Sequence, residues 1–200
     1  CPVCSLNISD RQAATSTKKS GSKKLMSFIS ELFGRKNPNL VMQPLYTAVI
    51  AEGRRPDWYE QGAVPDTLDG RFDMIAAIFC AVLIRLEQTE EAQQETAWLT
   101  ELFVNDMEGQ LRQIGIGDMV VGKRIGEIMG ALGGRLGAYR EALASNANLD
   151  EALTRNLYRG EAPEPAALDF TAKNFVGLYH RLTKTAIDQI MVGNIAKASS

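Results

Sequence analysis

The stretch Leu68-Asp69-Gly70-Arg71-Phe72-Asp73-Met74-Ile75-Ala76-Ala77-Ile78-Phe79-Cys80-Ala81-Val82-Leu83-Ile84-Arg85-Leu86 decides the fold. Met74 to Ile84 is an unbroken apolar run of 11 residues, closed by Asp73 and Arg85. A bilayer-spanning helix needs about 20 such residues, so this run is too short to cross. Leu68, Phe72, Ile75, Phe79, Leu83 and Leu86 recur at spacings of three and four, which is the helical period. A helix that is apolar all round has no face to offer water, so it predicts the buried centre of the fold. Asp66 or Thr67 can cap its start, and Asp69 in the first turn suits the positive end of the helix dipole.

Working outward, the same period continues on both sides. Upstream, Pro44 suits a first helical turn, with Leu45, Tyr46, Val49 and Ile50 behind it and Gly53 as terminator. Arg54 to Tyr59 then reads as a loop leading through Gly62 and Pro65. Downstream, Glu90 to Arg112 carries Leu99, Phe103, Met107, Leu111 and Ile114 along one stripe. After the turn Gly115 to Asp118, the residues Val121, Ile125, Ile128, Leu132, Leu136, Tyr139 and Leu143 keep the period. On a neighbouring face Gly122, Gly126, Gly130 and Gly134 repeat every four residues. Each costs about 1 kcal/mol relative to alanine, so the repeat predicts another helix in close approach. Asn148 to Tyr158 makes a short helix, Pro163 and Pro165 break the chain, and Leu168 to Ile195 supplies one or two more. No alternating strand pattern occurs. The expectation is an all-α, single-domain bundle of about six to eight helices.

Composition agrees. The chain has 200 residues, 45% hydrophobic and 23% charged, enough apolar material for a sizeable core and too much for a disordered chain. Its net charge of −2 hides an asymmetry, because residues 1–36 sum to +5 and the remainder to −7. Residues 1–24 read as a disordered basic tail and 25–36 as a basic amphipathic segment. The helical domain follows over 37–200. Phe28, Ile29, Leu32 and Phe33 are the candidate membrane contacts of that segment, the alternative being that they dock on the domain. An acidic body repels phosphates, so no direct nucleic-acid readout is expected. Cys1 and Cys4 form one C-x-x-C without a second pair, and Cys80 reads as a buried small hydrophobe. Neither a disulfide framework nor a metal site is expected, and a reducing, cytoplasmic setting fits.

Catalytic chemistry finds little footing. His180 is the only histidine and lies within a helical pattern beside Arg181. Gly117-Asp118-Met119-Val120-Val121-Gly122-Lys123-Arg124 imitates a phosphate-binding loop, but arginine stands where the magnesium-binding hydroxyl belongs and no strand precedes it. A helical nucleotide-binding protein or enzyme using the Gly117–Lys123 turn is therefore the alternative reading, not the leading one. Asp69 with Asp73, and Asp106 near Asp118, pair carboxylates, yet one histidine cannot complete a helical-bundle metal centre.

Several stretches together resemble the ubiquinol–cytochrome c chaperone family, assembly factors of respiratory complex III. They are Leu45-Tyr46 through Arg54-Arg55-Pro56-Asp57-Trp58-Tyr59, Asp66-Thr67-Leu68-Asp69-Gly70-Arg71-Phe72-Asp73, and Phe103-Val104-Asn105-Asp106-Met107. Leu111-Arg112-Gln113-Ile114-Gly115-Ile116-Gly117-Asp118, with Gly122-Lys123 and Gly134-Arg135 after it, is the most specific piece. The similarity spans about residue 39 to Tyr158 and carries no match after Pro163. It implies a non-enzymatic, cofactor-free, all-helical chaperone whose mitochondrial relatives bind newly made cytochrome b near the ribosomal exit, together with a second assembly factor. A bacterial-type member is expected in the cytoplasm, peripheral to the inner membrane. A client-holder of this kind needs an aromatic-lined groove rimmed by acidic charge. Trp58 and Tyr59 are its candidate anchors, unless they fold back onto the core. Asp69, Asp73, Asp106 and Asp118 are its candidate rim, with Arg71, Arg112 and Lys123 pairing them.

Overall fold

The computed structural model describes residues 38–113, 115, 117–145 and 148–195, with Pro38, Asp118 and Met119 by backbone alone. The tail 1–24 and the segment 25–36, including Phe28, Ile29, Leu32 and Phe33, lie outside the described residues. A 3-10 turn, Pro38–Met42, leads into α1 (Gln43–Gly53), followed by α2 (Pro56–Glu60) and α3 (Leu68–Glu87). A second 3-10 turn, Glu90–Ala92, opens onto α4 (Gln93–Gln113), and α5 (Asp118–Ser145) and α6 (Leu149–Asn156) come next. α7 (Pro165–Lys184) and α8 (Ile187–Met191) complete the series. Among the described residues there is no strand, and the all-α bundle expected from the sequence is what the chain forms.

α3 occupies the centre, with α1, α4, α5 and α7 all packed against it. From Ala76 to Ile84 no residue is more than 4% exposed. Thr67 is the cap, its hydroxyl accepting from the Gly70 amide at 3.1 Å, while Asp66 turns outward to Arg71. Gly70 is required here, because a Cβ at that position would stand 2.0 Å from the Pro65 carbonyl oxygen. Phe79 stacks on Phe103 of α4 at 4.7 Å, and Tyr139 of α5 tilts against Phe175 of α7 at 5.1 Å. Full burial of each such ring stabilises the fold by roughly 1.5–3 kcal/mol. Far from that stripe, Leu68 is 77% exposed, because the first helical position after the cap stands ahead of the core.

Two expectations are corrected. The Arg54–Tyr59 loop contains a helical turn, since Pro56 takes the first helical position and Asp57 the first turn. Among the described residues the glycine repeat of α5 meets no helix: a Cβ at Gly122, Gly126, Gly130 or Gly134 would find none of their atoms within 4 Å. The four glycines lie on the open face, while Leu132, Tyr139 and Ala142 carry the burial. Four-residue spacing shows that a face is small; it does not show what stands opposite.

Candidate functional site

The C-terminus of α1, α2 and the link into α3 form a corner held by Arg55. Its guanidinium donates to Glu52 Oε1 at 2.8 Å and to Asp57, and lies 5.7 Å over the Trp58 ring. The Glu52 side chain is fully buried, so this pair works with little screening by water. Trp58 is 1% exposed and its Nε1 donates to the Glu52 carbonyl at 2.9 Å. Of the two readings open to Trp58, the structure shows the core one: it is no exposed anchor. An indole whose N–H finds a backbone partner six residues upstream satisfies its polar edge and buries the rest.

Tyr59 is placed differently. Its hydroxyl donates to the Gly53 carbonyl at 2.6 Å, and partial burial pushes the pKa of that hydroxyl above the ordinary tyrosine value. The ring forms part of the wall of a cleft of about 380 Å³, shared with Arg54, Pro56, Glu60, Asp66 and Arg71. Arg71 donates to Asp66 at 2.6 Å with both side chains more than half exposed. Arg54 is exposed and has no acidic partner among the described residues. Beyond the cleft, the Tyr158 hydroxyl donates to the Gly62 carbonyl at 2.5 Å and accepts from Thr171 Oγ1 at 2.8 Å.

The aspartates do not form one rim. Asp73 is 1% exposed and accepts from Arg135 at 2.5 Å and Arg159 at 2.8 Å. Burial pushes its carboxyl up from the ordinary value, and the two guanidiniums work against that shift. Asp69 is exposed and shares Arg159 at 3.0 Å. Asp106 belongs to another place: it accepts from Tyr46 on α1 at 2.7 Å, and burial, aided by this bond, raises the pKa of the Tyr46 hydroxyl. Arg112 pairs with Glu108 one turn back, and Lys123 with Glu127 at 4.0 Å. The Asp118 side chain lies outside the described residues. Of the expected site residues, Tyr59 and Arg71 meet in the cleft, and Asp69 and Asp73 meet through Arg159. Arg71 pairs with Asp66, Arg112 with Glu108 and Lys123 with Glu127.

Sequence reasoning missed Glu52, Arg135 as the partner of Asp73, and Arg159. The last holds a left-handed backbone, with φ of 56°, and no local signal marks that. The imitation phosphate loop starts a helix: Val120 and Val121 donate to the Gly117 carbonyl, and Lys123 stands 79% exposed on α5. A helix, α4, precedes it where a phosphate loop needs a strand. His180 is exposed on α7. Among the described residues no helix is long and apolar enough to cross a membrane.

This architecture is shared. A crystal structure described as that of the Cbp3 homolog from Brucella abortus superposes with a TM-score of 0.70 at 28% identity, covering 86% of this chain and 97% of that one. The two chains therefore share one fold. The chain belongs to the ubiquinol-cytochrome C chaperone family, whose model matches residues 60–198. That match extends the likeness past Pro163 through α7 and α8, where the sequence offered no motif. None of the curated proteins matches the chain.

Proposed function

We propose that this chain is a complex III assembly chaperone that holds newly made cytochrome b, without bond-making chemistry, and that the Tyr59 cleft takes part in the capture. The observation that carries the reading is a meeting of two stretches. Arg54, Pro56 and Tyr59 come from the segment just ahead of the matched residues 60–198 and Asp66 and Arg71 from within them, and the fold brings both to one open cleft. A nascent membrane protein presents cationic cytoplasmic loops beside apolar segments. Tyr59 offers an amphipathic ring, and the exposed Arg71–Asp66 pair exchanges partners at small cost, since exposed pairs are weak. Membership of the family supports the class of client. Work at the cytoplasmic face of the inner membrane, contact through Phe28, Ile29, Leu32 and Phe33, a second assembly factor and the ribosome belong to the same proposal.

The test is a photo-crosslinking amino acid at Tyr59, with Lys173 as a control position on the exposed face of α7. Membranes from cells expressing each variant are irradiated and the adducts identified. Cytochrome b attached at Tyr59 and absent at Lys173 is the expected result. Its absence at Tyr59, with the variant folded and abundant, refutes the proposal.

A further inference from the structure

The outer face of α4 carries a second open groove, separate from the Tyr59 cleft and sharing no residue with it. It encloses about 490 Å³. Thr96 and Thr100 form much of its wall, and each hydroxyl hydrogen is already used: Thr96 donates to the Ala92 carbonyl at 2.7 Å and Thr100 to the Thr96 carbonyl at 2.8 Å. Their methyl groups join Ala97 and Val104 as a largely apolar floor. Beside it the first 3-10 turn is tied to α4 by the Asn39 amide, which donates to Glu101 at 3.3 Å. That same turn exposes Leu40 at 51% and Val41 at 61%.

The charge around the floor has one sign. Between Leu86 and Leu111 the chain has seven acidic residues and no basic one. Glu87 is neutralised by Arg140 and Glu108 by Arg112, and Asp106 is held by Tyr46. Glu101 in the groove, and Glu90 and Glu91 at its N-terminal end, have no basic partner among the described residues. An apolar strip bordered by carboxylates with no basic partner among the described residues complements a helix with an apolar stripe between Lys or Arg side chains. An acidic or neutral apolar helix would leave those carboxylates facing like charge or nothing.

We propose that the α4 groove receives a cationic amphipathic helix of a partner protein, its apolar stripe on Ala97, Val104 and the threonine methyls, its Lys or Arg side chains on Glu90, Glu91 and Glu101. The probe is a fluorescent leucine–lysine amphipathic peptide of about 18 residues, long enough for a helix to form on a surface, titrated into the full chain by anisotropy. Binding should weaken as salt rises from about 50 to about 300 mM, because exposed charges are screened. Ala97→Trp, which stands a bulky ring on the floor, should weaken it by about tenfold or more, as expected at the centre of an interface. Glu91→Gln with Glu101→Gln keeps the Asn39 bond and should cost about threefold to tenfold, with a shallower salt dependence. Asp150→Asn with Glu151→Gln on α6 should change nothing, and circular dichroism checks that every variant folds. The proposal is overturned if the peptide does not bind, if a leucine–glutamate peptide binds equally, or if the groove variants bind as well as the parent. A dimer of the chain that Ala97→Trp abolishes would make a second copy the occupant and overturn it too.

Discussion

Truncating Trp58 separates the two roles an aromatic in a turn can hold. With 1% exposure and its Nε1 bonded to the Glu52 carbonyl, Trp58 closes the corner that carries the Tyr59 cleft. Removing a buried tryptophan side chain costs about 3–5 kcal/mol, from lost transfer energy plus the cavity left behind. Arg55 adds to this, because the ring under its guanidinium disappears and the Glu52 pair loses one wall. In a domain of this size each kcal/mol moves the melting midpoint by about 2–4 °C, so Trp58→Ala should melt about 6–20 °C lower. Trp58→Phe keeps most of the volume and deletes the N–H donor, so it should cost about 1–3 kcal/mol. Urea unfolding followed by far-ultraviolet circular dichroism reads both values without relying on tryptophan emission. An unchanged midpoint for Trp58→Ala, together with lost client crosslinking, would refute the core assignment and restore the residue as an anchor.

Other outcomes follow from single contacts. Gly126→Ala and Gly130→Ala on α5 should each stabilise by about 0.5–1 kcal/mol, because the helix gains and the new methyl meets none of the described residues; destabilisation in thermal melts would reveal a neighbour. Gly70→Ala should destabilise instead, since its Cβ would collide with the Pro65 carbonyl. Arg135→Met should cost about 3–5 kcal/mol by leaving Asp73 short of a buried partner, measured by urea unfolding; a loss below about 1 kcal/mol would mean that Arg159 alone suffices. Finally, Cys80 is fully buried and burial pushes its thiol up to about 12, so with Cys1 and Cys4 replaced by serine, a thiol reagent at neutral pH should label the chain only after unfolding.

Legibility differed by the kind of signal. The apolar run Met74–Ile84 announces its own burial, because no orientation of such a helix presents a polar face. The start of α3 followed from its cap, as Thr67 shows, whereas Pro165, which read as a break before a helix from Leu168, opens α7 itself. Long-range partnership did not. Asp69 and Asp73 share a face by their four-residue spacing, yet one is exposed and the other buried. Only the arrival of α5 and the turn after α6 decides which. The glycines of α5 carried a cost but no address, and Trp58 read equally well as anchor or core until Arg55 and the Glu52 carbonyl settled it. α7 had regular helical spacing and no motif, so its place in the family likeness was invisible.

The central position of α3 has a consequence during synthesis. One of its flanks is covered by α7, and Arg85 Nε reaches the Leu182 carbonyl across 97 positions of sequence. At translation rates of about 5–20 residues per second, the most water-averse helix of the molecule waits roughly 5–20 s after leaving the ribosome before that lid exists. A member of a chaperone family is, for that interval, an unfinished chain with a greasy segment of its own to hide.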